Sequence, residues 1–195
     1  LMTDFFLPRM LDVPGKSNGA WMEYFWWEVR NFGYQSPYIA EMTNLDWLLL
    51  DLLANRAGLP LHRFLGADRD WAAVYKGGGS VLLSDEAPIQ DLQRFKDEGY
   101  QTTKFKIGGS GAGFSQDIRR LEKARRALGD DFGIAVDANQ AWDAKTAFAF
   151  AKEAAPFGVA WLEEPVHAYD MDALRELRDL LDNAGIVMEI AMGES

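Results

Sequence analysis

The sequence predicts an α/β fold built on a parallel β-sheet. Beyond about residue 70, short β-type runs alternate with amphipathic helical runs, the pattern of βαβ units. Charged clusters recur at the ends of successive β-type runs, spaced by about one βα unit. Hydrophobic residues make up 48% and charged residues 26% of the 195, a balance that suits a folded globular chain. At roughly 100–200 residues per domain, this length predicts one large domain or two small ones.

The first 70 residues have a different character. Five of the seven tryptophans, Trp21, Trp26, Trp27, Trp47 and Trp71, fall within the first 71 positions, and they read as core or interface aromatics. Residues 38–57, YIAEMTNLDWLLLDLLANRA, hold no internal Gly or Pro and predict a helix, which Gly58 and Pro60 end. Its apolar residues wrap most of the helix, so burial against other elements is expected.

The alternation then begins. AAVYKGGGS predicts a short strand ending in a glycine turn, and DEAPIQDLQRFKDEG an amphipathic helix. TTKFKIG is the next strand. SQDIRRLEKARRALG is the next helix, with Ile118, Leu121 and Leu128 on one face and Gly129 as its stop. FGIAVD, VAWLEE and GIVMEIAMGE complete the strands. DAKTAFAFAKEAAP, capped by Asp143, and MDALRELRDLLDN are the helices between them.

Composition removes several function classes. Thirty Asp+Glu against 20 Lys+Arg give a net charge of −10, which argues against nucleic-acid or anionic-membrane partners. No cysteine means no disulfide, no thiolate zinc site and no Cys nucleophile, and two histidines leave little for a His-based metal site. No apolar run approaches the ~20 residues of a membrane span. No signal peptide opens the chain, so a cytoplasmic location is expected.

The strand ends carry the chemistry. They read Lys104-Phe105-Lys106, Asp137-Ala138-Asn139, Glu163-Glu164-Pro165 and Gly193-Glu194. In a parallel barrel or open sheet those ends share one rim, where active sites are built. Several carboxylates on one rim repel unless a cation lies between them, and oxygen donors favour Mg²⁺ over Zn²⁺. Lys104 and Lys106 are two apart, so they share one strand face. Facing inward, each ammonium lowers the other's pKa and burial lowers both, toward the ~7–8 of a general base. A lysine base beside magnesium suits abstraction of a proton α to a carboxylate, with the enediolate stabilised by the metal. Singly, each of these short motifs also reads as solvated charge or a helix cap; their joint placement is what favours a site.

KFKIG, VDANQAW, WLEEP and GES, in this order, resemble the enolase superfamily, in its mandelate racemase/muconate lactonising branch. NLDWLLLDLLANRAGLPLHRFLG is similar to the helical segment that leads from that family's capping domain into its barrel. The resemblance covers about residues 40–195. It implies a (β/α) TIM-type barrel, here its first five strands over residues 71–195, preceded at 1–70 by the helical part of an α+β capping domain. It implies Mg²⁺ held by Asp137, Glu163 and Glu194, Lys106 as the base, Lys104 assisting at the substrate carboxylate, and Asn139 contacting a substrate hydroxyl. Glu164 matches no ligand and is expected to support Glu163 or the nearby lysines.

By this resemblance the activity is acid-sugar dehydration, with racemisation, epimerisation or cycloisomerisation as alternatives, in a homo-oligomer. The family's opposite-face acid or base, often a His–Asp pair, comes from later strands, and its first strands come earlier. The chain, running from Leu1 to Ser195, is therefore expected to be partial at both ends and incomplete for catalysis. His167 and His62 read as loop and structural residues. A nucleotide-binding α/β protein is the rival from another class, because residues 108–115, GGSGAGFS, follow a strand and open a helix. A phosphate loop needs Lys where Phe114 stands, and no G-x-G-x-x-G fits these glycines, so a plain βα loop is the better account.

Overall fold

The computed structural model describes residues 1–12, 15–33, 36–78, 86–109 and 113–193. It divides into two compact units, Leu1–Ala72 and Ala73–Ser195.

The first unit is helical in its described residues. A π-helical turn, Met2–Phe6, continues as α1 (Leu7–Asp12). Then come α2 (Asn18–Val29), α3 (Pro37–Arg56) and the single turn α4 (Leu61–Phe64). The Trp-rich segment, given no element from sequence, forms α2; its N-cap Ser17 accepts from the Ala20 amide at 3.3 Å. Ser36 caps α3 and Pro37 stands in its first turn, where its missing N–H costs nothing. A small core joins Phe6, Trp21, Phe25 and Leu45, with Phe6 and Phe25 edge-to-face at 4.8 Å. The expected burial of α3 is only partial. Leu45 and Ala54 are buried, whereas Trp47, Leu48 and Leu52 are exposed. The four-residue core draws on one stripe of this helix, and its remaining apolar faces meet no such cluster among the described residues.

The second unit is the expected alternation. Its elements are β1 (Lys76–Gly78), α5 (Glu86–Asp97), β2 (Thr102–Lys106), α6 (Ser115–Leu128), β3 (Gly133–Asp137), α7 (Ala144–Ala154), β4 (Val159–Glu163), α8 (Met171–Asn183) and β5 (Ile190–Ala191). The five strands form one sheet in sequence order, and every neighbouring pair is parallel. β5 is shorter than GIVMEIAMGE suggested, because only Ile190 and Ala191 pair, with Leu162 and Glu163.

Strand alternation sorts the side chains. Phe105, Val136 and Leu162 join the large core, where they meet helix residues such as Leu121, Ala147, Phe150 and Leu177. Lys104, Lys106, Asp137 and Glu163 occupy the opposite face. Asp143 caps α7 as predicted, accepting from the Thr146 amide at 2.7 Å, and Asp170 does the same for α8 through Ala173.

Candidate active site at the strand ends

The register sets the site. Lys106 pairs with Asp137 and Asp137 with Glu163, so three strand-end residues form one row. Lys104 lies one pleat behind, opposite Ala135. The ladder then runs past the strands: the Ile107 amide donates to the Asp137 carbonyl (2.8 Å), that of Ala138 to Glu163 (2.9 Å), and that of Glu164 to Ala191 (2.8 Å). Each charged side chain is thereby held by two neighbouring strands at a rigid rim.

Asp137 is the centre of charge. Its side chain is 1% exposed; Lys106 Nζ lies 2.7 Å and Lys104 Nζ 3.3 Å from its Oδ2. Its Oδ1 accepts the Asn139 amide at 2.9 Å. Burial works against the Asp137 charge, but these donors, led by Lys106, outweigh it and hold the carboxyl below the usual range. Lys104 also donates to Glu163 Oε1, and Trp161 Nε1 donates to Glu163 Oε2 at 3.0 Å.

The lowered pKa expected from two facing ammonium groups does not occur at Lys104. Burial does push it down. The hydrogen bonds to Glu163 and Asp137, with the charges of those carboxylates, prevail and hold it above the ordinary lysine value. The expectation considered the lysines alone; the acids come from the two following strands. Lys104 is therefore held as a cation, 17% exposed, whereas Lys106 is 41% exposed and reaches open space.

Lys104, Lys106, Asp137, Glu163 and Glu164, with Ala191, Met192 and Gly193, line a cavity of about 440 Å³. Glu164 is fully buried and its Oε1 accepts the Gly193 amide at 2.6 Å. The sequence suggested support for Glu163 or a lysine; the bond in place secures the loop after β5. Asn139 is exposed at φ 48°, ties its backbone to Asp137, and is not among the cavity-lining residues. Glu194 lies outside the described residues, as do residues 110–112 of the glycine loop. His62 contacts Asp70 at 3.3 Å, and His167 Nδ1 accepts the Tyr169 amide, so neither belongs to the cavity.

Two contributions were not read from sequence. Trp161 shares a strand face with Glu163, two residues away, and alternation could have flagged it. Asp117 and Arg120, on α6, hydrogen-bond the backbone around Lys106, which no side-chain pattern reveals.

Residues 89–195 match the family model described as Enolase C-terminal domain-like. The chain belongs to this family. Its relatives are mandelate racemase-like members of the enolase superfamily, and the parallel five-stranded sheet is part of their TIM-type barrel. L-talarate/galactarate dehydratase of Salmonella typhimurium is 35% identical over 169 residues, 86% of this chain and 41% of that protein. A solved structure of that dehydratase, liganded with Mg and L-lyxarohydroxamate, aligns with TM-score 0.76 at 33% identity, over 91% of this chain and 44% of that one. A racemase from Streptomyces coelicolor with bound magnesium aligns with TM-score 0.80 at 27% identity, over 95% and 52%. Cycloisomerases and epimerases are also among the enolase-family matches. The chain spans less than half the length of the curated relatives it matches.

The Lys104 ammonium lies between Asp137 Oδ2 and Glu163 Oε1, where charge balance calls for a cation. Both donors are carboxylate oxygens, the hard ligands Mg²⁺ takes. Among the described residues no group of three His, Cys, Asp or Glu is placed to hold a metal. Asp137 and Glu163 fit as two of the ligands, and a third has to come from elsewhere.

Proposed function

We propose that this chain forms part of a Mg²⁺-dependent acid-sugar dehydratase, in which Lys106 removes the proton α to a substrate carboxylate. One observation carries the reading: Lys106, Asp137 and Glu163 stand in one row facing a cavity, a candidate base beside two candidate magnesium ligands. Glu194 is proposed as the third ligand. Residues 1–70 are proposed as the helical part of a capping domain and 71–195 as the first half of the barrel.

Lys106 has the reach for a base, because it is the more accessible lysine and its anchor, Asp137, is buried. Lys104, held as a cation, orients the substrate carboxylate by charge. Asp137 and Glu163 would hold magnesium, which would supply positive charge where negative charge develops as the α-proton leaves. Loss of the β-hydroxyl as water then gives an enol that becomes a 2-keto-3-deoxy acid; return of a proton instead gives an epimer. Dehydration is favoured because L-talarate/galactarate dehydratase is the named relative at 35% identity. Asn139 is proposed to contact a substrate hydroxyl from the loop after β3. A homo-oligomer in the cytoplasm, without nucleic-acid or membrane partners, completes the proposal. The charge of −10 supports the lack of nucleic-acid and anionic-membrane partners, and no helix among the described residues is long and apolar enough to cross a membrane.

The test is to incubate the whole protein with sugar acids and Mg²⁺ in D₂O. Exchange of the α-proton is expected, abolished by EDTA and by Lys106→Ala, with a 2-keto-3-deoxy acid accumulating. Exchange without a keto product selects the racemase or epimerase reading. Exchange that persists in Lys106→Ala removes the assignment of the base.

A further inference from the structure

We infer that the buried Asp117–Arg120 pair of α6 is a positioning device for Lys106, clamping the backbone that leaves it at the Lys106 carbonyl and the Gly108 amide. Asp117 is 3% and Arg120 5% exposed, so both charges have been withdrawn from water outside the cavity. Arg120 Nη1 donates to the Lys106 carbonyl at 3.0 Å, and Asp117 Oδ2 accepts the Gly108 amide at 3.0 Å. The two side chains meet at 3.4 Å, and the Arg120 guanidinium lies 5.5 Å from the ring centroid of Phe105. Between the two anchors, the Ile107 amide is bonded to Asp137.

Such a pair costs desolvation that mutual attraction alone does not recover, and the main-chain contacts help to offset it. Gly108 shows why the turn needs holding. It stands at φ 78°, and a Cβ there would meet Ala141 Cβ at 3.0 Å and the Ala138 carbonyl at 3.2 Å. The chain after Lys106 is thus pressed against the loop that follows Asp137. Arg120 and Asp117 fix that approach, and with it the direction from which Lys106 Nζ meets Asp137 and the cavity.

The inference rests on the reading of Lys106 as the base, and its test is chosen to separate the two. Arg120→Met alone strands a buried aspartate, so Asp117→Leu/Arg120→Met, which removes both charges together, is the main variant. In the whole protein with Mg²⁺ it is expected to lower kcat for α-proton exchange about 100-fold, the size of effect a 1 Å misplacement has, with KM nearly unchanged. Arg120→Lys, which keeps a donor, is expected to recover about tenfold of that. Amide hydrogen exchange at Gly108 is expected to quicken about tenfold in the double variant, with β3 still protected. Leu177→Ala, in the core on α8, serves as a destabilised control and should keep its kcat.

Wild-type kcat together with wild-type Gly108 protection in the double variant overturns the proposal. So does a loss of kcat in Leu177→Ala as large as in the double variant. If the double variant does not fold, Arg120→Lys decides: a reduced kcat at unchanged KM supports the clamp, and wild-type kcat ends it. If the wild-type protein exchanges no sugar acid, the function reading fails, and Gly108 protection alone judges the clamp.

Discussion

Lys104 Nζ touches Asp137 and Glu163 together, so this one cation bridges two carboxylates on adjacent strands, while Lys106 also meets Asp137. Lys104→Met is therefore expected to cost the metal-free protein about 2–3 kcal/mol, less than the ~3–5 of a fully buried pair because Lys104 keeps some exposure. Magnesium should restore the variant more than it helps the wild type, since the ammonium no longer competes for the two oxygens. Thermal melts with and without Mg²⁺ check this: the expected result is a lower metal-free Tm and a larger Mg²⁺-induced rise. An equal rise in both proteins would show that Lys104 and the metal do not share these carboxylates. At this scale the sequence was legible in which residues meet and illegible in their electrostatics. KFK spacing placed both lysines on one face, but the direction of the Lys104 shift depended on acids 33 and 59 positions away in the chain.

Among the elements, α7 has a cap whose contribution depends on pH. The Thr146 backbone amide, with lesser contributions from its neighbours, holds the Asp143 carboxyl below its ordinary value of 3.8. A carboxyl depressed in the folded state contributes fully above its unfolded pKa, and the contribution is lost as pH falls through the folded value. Asp143→Ala is expected to cost about 1 kcal/mol at pH 7, an amount typical of N-caps. Urea unfolding of the variant and wild type should converge as pH falls below the ordinary Asp value and on through the depressed one. A difference that stays constant across that range would mean the cap acts without its charge. This cap was legible because its donor is three residues away, as was α8, whose Leu177 and Leu181 mark a buried stripe. Asp117 and Arg120 were not legible. A polar pair at i and i+3 reads as a solvated helix face, and only the turn after β2, folded against the start of α6, makes it buried.

For the whole molecule, the sheet sets the expectation. β1 pairs with β2 and β5 with β4, and no further strand adjoins either among the described residues. A parallel sheet with two open edges invites pairing with other chains, and its loss of partners is greatest where strands are longest and flattest. Here β1 has three residues and β5 two, so the edges themselves offer few donors and acceptors. Apolar surface adds to this: Met171, Leu174, Ile190 and Met192, with Arg175 and Arg178, line a cavity of about 320 Å³ beside β5. The 195-residue chain expressed alone is therefore expected to self-associate through the β5 side. Light scattering during gel filtration should show mass rising with concentration. Ile190→Lys, which puts a charge on that edge, should shift the population toward monomer, while Leu48→Lys on the exposed face of α3 should change it less. A larger response to Leu48→Lys would assign association to the helical unit, whose Trp47, Leu48 and Leu52 were expected in a core from their sequence and are exposed in the fold.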